Sequence, residues 1–377
     1  IALLCYLLLT VSMTCYLGVQ AGNLLELWTG LEVPWWLISA LMILVVGLLG
    51  HRTIDLSAKV LGIVLVLEIL AVVAIDIGVL TSGRTLEASP FSPAEALSGA
   101  PGLGLLFAFL GFFGFEATAV FRHEAKDPLR TIPRATYIAV LLIGVLYTVS
   151  SWLVISGLGA HSAHDAATAD PDGVIVSLAA DVVAPIMWDV TQVLVVTSMF
   201  ACMLGFHNIV TRYLFTLGRR GVLPATLGEA HPVHRSPSRA SLCVTALTAA
   251  VVMVSALAQL DPVVEIYTWY SGLGAVGVIL MMALTSIAVL RWGMHPGAGR
   301  GAGRAGGGVL AATALGGLGL LLVLGLSVAN LPLMVGGTAA AAVCAGVLVL
   351  VFVLGMLLPR QRPVMADEPE MAAPGRD

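Results

Sequence analysis

The stretch Gly111-Phe112-Phe113-Gly114-Phe115-Glu116 lies inside the apolar run from Leu103 to Phe121 and leads into a charged segment, Arg122 to Arg134. Two glycines three residues apart weaken a helix that is otherwise long enough to cross a bilayer, and a carboxylate follows them directly. In hydrocarbon, backbone N–H and C=O groups go without helical partners only where they line a cavity or a binding site. A glycine-softened midpoint is therefore a candidate for such a site. The same glycines also suit a plainer role, the close approach of a neighbouring helix.

The remainder of the chain sets this stretch in a membrane. With 59% hydrophobic and 11% charged residues and a mean hydropathy of +0.99, 377 residues are too apolar for a soluble domain. Long apolar runs fall at roughly 1–20, 33–50, 57–81, 102–122, 135–158, 186–216, 238–259, 263–291, 308–330 and 333–357, giving ten expected spans. If Ile1 is cytoplasmic, the inner loops hold 17 of the 18 Lys and Arg residues and leave Arg84 alone outside, a strong positive-inside pattern. Cys5, Cys15, Cys202, Cys243 and Cys344 all fall in apolar spans without C-x-x-C spacing and read as small core residues.

Beyond the glycines, Phe113-Gly114-Phe115-Glu116 and then Glu124-Ala125-Lys126-Asp127-Pro128-Leu129-Arg130-Thr131-Ile132-Pro133-Arg134-Ala135 form a longer pattern. It resembles the sixth helix and following cytoplasmic loop of amino acid permeases of the amino acid, polyamine and organocation (APC) superfamily. A second segment, from Arg212 to Pro224, resembles the eighth helix and following loop of the same permeases, except that Arg220 stands where an Asp is usual. The resemblance implies an all-α polytopic membrane protein of the LeuT-like inverted-repeat fold. The ten spans would match family helices three to twelve, the first two being absent. It implies a permease domain over 1–358 and a disordered cytoplasmic tail over 359–377. The multi-pass protein would sit in the cytoplasmic membrane with its C-terminus inside.

Several polar residues within the spans are candidates for the work. By the resemblance, Gly111, Phe112, Phe113, Gly114, Phe115 and Glu116 would bind substrate. Glu116 also suits a structural role, an anion at the start of the second half-helix. Glu68 is a functional candidate by default, because an ionisable group near mid-bilayer costs about 2.5–3.5 kcal/mol; a protonated Glu bonded to a neighbouring helix is the alternative. In some proton-coupled relatives a Lys on the fifth helix replaces a sodium ion, so Lys59 is weighed beside Glu68. Asp76, nearer the outer end, is expected to be solvated. Thr197 and Ser198 are placed to help hold a cation or to bond their own backbone. His207 and Asn208 suit a proton relay or a helix-packing hydrogen bond.

The function that follows is secondary active transport of an amino acid by alternating access, as proton-coupled symport or exchange. An amino-acid-binding sensor without flux, or a polyamine or organocation carrier, are the alternatives. No nucleophile, base and orienter set and no phosphate loop is present, so an enzyme is not expected. Neither are a cofactor, a metal site or a nucleic-acid partner. The expected partners are the amino acid, membrane lipid, a proton or sodium as coupling ion, and a second copy in a homo-oligomer.

Overall fold

The computed structural model of the protein describes residues 1–51, 54–116, 127–171, 173–231, 236–294 and 307–357; for His51 and residues 54–61 it describes backbone alone. Within these residues all the regular structure is helical, because lipid offers backbone groups no partner outside their own segment. The main helices are α1 (Ala2–Thr29), α2 (Trp35–His51), α3 (Ile54–Thr81), α4 (Pro101–Gly111), α5 (Pro128–Leu158), α6 (Val174–Val182), α7 (Met187–Arg219), α8 (Ser238–Leu257), α9 (Thr268–Met294), α10 (Gly307–Met334) and α11 (Thr338–Leu357). A π-helical turn, Pro262–Tyr267, precedes α9.

Among the described residues eight helices are long and apolar enough to cross a membrane, counting the π turn with α9. The other two of the ten expected spans are shorter. α2 has 17 residues, and α4 stops after 11 where the glycines begin. Other boundaries move as well. α1 runs on to Thr29, so Asn23 and Glu26 lie on its last turns and not in a loop. It is ended by Gly30, whose left-handed φ of 71° lets its N–H reach Glu26 O. α5 begins at Pro128, ahead of the expected 135, because a proline fits the first turn of a helix. Between α7 and α8 the described residues hold a single 3₁₀ turn, Ala225–Gly228.

At the centre of the bundle stands α1. Its Tyr6, Leu9, Val11, Cys15 and Leu17 are fully buried and join two of the main apolar clusters. It packs against α7, α9, α2 and the π turn. Apolar side chains gain nothing by leaving lipid for protein, so close approach of small residues holds such helices together. The seam between α1 and α9 shows this. A Cβ at Gly274 would stand 2.9 Å from Leu9 Cγ, and one at Gly277 would overlap Cys5 Sγ. By contrast α5, α10 and α11 turn rows such as Leu141, Leu142 and Val145 outward.

The loop from Ser82 to Ala100 is fastened across the ends of α5 and α6. Arg84 bonds Gly157 O and Asp181. Glu87 donates its N–H to Ser156 Oγ (3.1 Å), and Trp152 Nε1 donates to Glu87 O (2.7 Å).

Replacing Gly274 with Val should drive Leu9 from its place and destabilise the protein by about 1–3 kcal/mol. Gly346→Val, on α11 where no described atom lies within 4 Å of the new Cβ, should change little. Thermal melting of both variants in detergent measures the difference.

Candidate functional site

α4 opens with Pro101 at its first turn and stops at Gly111. The next two amides bond three residues back, Phe112 to Phe109 O and Phe113 to Leu110 O, both at 3.1 Å, so the helix end tightens to 3₁₀ geometry. Gly114 then takes φ +110°, a conformation that a Cβ disfavours. Its N–H finds no helical carbonyl and donates to Glu116 Oε2 at 3.0 Å. The other carboxylate oxygen, Oε1, accepts the hydroxyl of Tyr6 on α1 at 2.5 Å. Tyr6 is 1% exposed, its ring stacked on Tyr213 at 5.8 Å and tilted against Phe206 at 6.1 Å, both on α7. One carboxylate thus supplies the partner that the bend takes from a backbone amide and ties the bend to two other helices. The half-helix expected beyond Glu116 lies outside the described residues.

The two glycines divide the two roles weighed for them. A Cβ at Gly111 would come within 2.7 Å of Tyr147 on α5, so Gly111 permits close packing. At Gly114 no described atom lies within 4 Å of such a Cβ, so among the described residues Gly114 serves the turn and not the packing. The phenylalanines part in the same way. Phe112 meets Tyr147 edge-on at 6.3 Å. Phe113 keeps to the side of Phe109 and Leu110 and packs into the core; Phe115 is half-buried.

A second group adjoins the first through Tyr147, which lies within electrostatic reach of Glu68 on α3 and Cys202 on α7. Ser198 of α7 donates to Glu68 Oε2 at 3.2 Å, while Glu68 Oε1 is buried without a hydrogen-bond partner among the described residues. Thr197, one residue before, bonds Leu194 O of its own helix at 3.0 Å.

The remaining candidates lie apart from this group. His207, 2% exposed, pairs with Ser241 Oγ of α8 at 3.0 Å, and Gly50 of α2 packs onto the pair. Asn208 is half-buried beside it, and the side chain of Lys59 lies outside what is described. Asp76, expected to be solvated, is instead 8% exposed and accepts the Ser150 hydroxyl of α5 at 2.7 Å. Tyr6, Tyr147 and Tyr213, which join these groups, were not singled out from the sequence. Position gives a signal for Tyr147 alone, which stands well within its span, whereas Tyr6 and Tyr213 lie towards span ends, where interfacial tyrosines are common.

The helix ends that bear Glu26, Glu32, Asp181, Asp189, Asp261 and Glu265 form an acid-rich face, and there a cavity of about 440 Å³ opens between the end of α1, the start of α2 and the π turn, lined by residues including Asn23, Glu26, Glu32, Trp35 and Pro262. Nearby on α1, Tyr16 stacks on Tyr267 of the π turn at 4.5 Å.

A sequence model described as amino acid permease matches residues 1–358. The chain is similar to the branched-chain amino acid permease BcaP of Lactococcus lactis, 30% identical over 199 residues, covering 51% of this chain and 42% of that protein. It is 25% identical over 254 residues to the BcaP of Bacillus subtilis, covering 66% and 48%. It is 26% identical over 188 residues to the vacuolar cationic amino acid transporter 4 of Arabidopsis thaliana, covering 49% and 28%. The chain therefore spans less than half the length of these relatives. They are named as permeases and transporters, not as enzymes.

Glu116→Ala should leave the Gly114 amide without its partner, a loss of about 1–3 kcal/mol, while Tyr6→Phe keeps the amide bond and loses only the charge-assisted one. Hydrogen–deuterium exchange of a peptide covering 110–116 should speed up strongly in the first variant and less in the second.

Proposed function

The chain belongs to the amino acid permease family, and we propose that it carries an amino acid across the cytoplasmic membrane by alternating access, with its arginine-rich loops inside. The observation that carries this reading is the interrupted helix at Gly114, with a carboxylate standing in for a helical bond. A zwitterion needs donors for its carboxylate and acceptors for its ammonium. A helix end inside a membrane protein offers free carbonyls, and the half-helix that follows offers free amides.

Phe112 and Tyr147 beside the bend favour an apolar side chain on the substrate, and the relatives named for branched-chain amino acids make leucine, isoleucine and valine the first to try. The driving force in this reading is a proton gradient or exchange against a second solute. Glu68 supports the proton: its Oε1 has no described partner and Ser198 holds the other oxygen. Transport and sensing differ in one measurement. Labelled amino acid accumulating in proteoliposomes against a trapped unlabelled pool means flux, whereas saturable binding without accumulation means a sensor.

In the same assay Gly114→Val should abolish uptake with little loss of expression, since Val resists φ +110° but meets no described neighbour. Normal uptake by this variant would remove the physical basis of the reading.

A further inference from the structure

α3 carries two acids inside the membrane. Glu68 belongs to the group around Tyr147, and Asp76 lies eight residues further on, about 12 Å along the helix axis. Asp76 is more than nine-tenths buried. Ser150 Oγ donates to its Oδ2 at 2.7 Å, and its Oδ1 is buried with no hydrogen-bond partner among the described residues. A buried acid that served only to pin α3 to α5 would need one oxygen, and an amide or hydroxyl would do that without the cost of a carboxylate in hydrocarbon. The second, unpartnered oxygen asks for a ligand.

The surroundings select which ligand. A metal cation would require several more oxygens in reach, and the described hydrogen-bond partner of Asp76 is one hydroxyl. The charged groups on the packed elements are few. α2 has no titratable side chain from Trp35 to Gly50. α5 presents Ser150 and, one turn inward, Tyr147. α6 carries Asp181, held by Arg84, and α7 carries Asp189, half-buried in its first turn. None of the described bonds brings a cation to Asp76. The fastened loop of Arg84, Glu87 and Trp152 lies over the same helix ends, about 7–8 Å beyond Asp76 along α3.

We propose that Asp76 is a proton-binding site in its own right, the carboxylate taking one proton from the acid-rich face to become a neutral acid and returning it as a carboxylate. With the transport reading it is a second station on α3, on the side of Glu68 nearer that face. The two carboxylates are too far apart for direct transfer, so each binds its proton separately.

The test is infrared difference spectroscopy of the full chain in lipid across a pH titration, run beside uptake. The unaltered protein should show a protonated-carboxyl C=O band that titrates, is lost in Asp76→Asn and persists in Glu68→Gln. Ser150→Ala should keep the band but shift its frequency and midpoint, because it removes the hydrogen bond to Oδ2. The dependence of uptake on the pH of the acid-rich side should be shifted in Asp76→Asn, with Glu68 left as the remaining titrating site. A spectrum in which Asp76→Asn removes no titrating band overturns the proposal, and so does an unchanged pH profile of uptake in that variant. Counterflow by the unaltered protein reports on the transport reading alone, so a lost band without counterflow, or counterflow without the band, tells the two failures apart.

Discussion

An amide that leaves a helix within a membrane must find another acceptor, and in this chain the acceptor is the Glu116 carboxylate. The bend at Gly114 exists because glycine tolerates the backbone angle and because an acid two residues later reaches back to the freed N–H. The charge would be costly alone in a low-dielectric setting. The Tyr6 hydroxyl on its second oxygen offsets part of that cost and couples the bend to α1. Phe206 and Tyr213 hold the Tyr6 ring, so the position of one peptide group is referred to three helices.

The bundle around that bend is held by shape more than by hydrophobicity. Lipid is as apolar as a leucine side chain, so burial of the Leu and Val rows of α10 or α11 would bring little, and these helices leave them outward. Contact is closest where side chains are small, as at Gly111 against Tyr147 and along the α1 and α9 seam. Polar groups placed in pairs add the rest: Ser198 with Glu68, Ser150 with Asp76, Ser241 with His207. Each joins a different pair of helices, and in each case one partner is a serine short enough to leave the packing distance unchanged.

Hydropathy and charge placement are enough to read a polytopic helical membrane protein and nearly all its spans. The shortfalls are α2, which is itself only 17 residues long, and α4, whose apolar run continues through the turn residues 112–116. The bend is legible too, since glycines weaken a helix and an acid is costly in hydrocarbon, and both together mark a place where the backbone leaves its ladder. Its partners are not, because Tyr6 lies 110 positions away and nothing local marks which face of α1 meets α4. Asp76 departs from expectation for a related reason: counting residues from a helix end gives depth but not azimuth, and Asp76 turns to Ser150 of α5. Thr197 and Ser198 show the same limit at the smallest scale. They are neighbours in sequence, yet one turns to its own backbone and the other to a carboxylate on α3.

The seam between α1 and α9 reaches further than its own stability. Leu9 rests where Gly274 has no side chain, and Tyr6 stands one turn away on the same rod. The notch in α9 therefore sets the height at which the phenol meets Glu116. A slip of α1 by a single residue would lift that oxygen away from its acid. The alignment of the bend is thus governed from a helix that forms none of its hydrogen bonds.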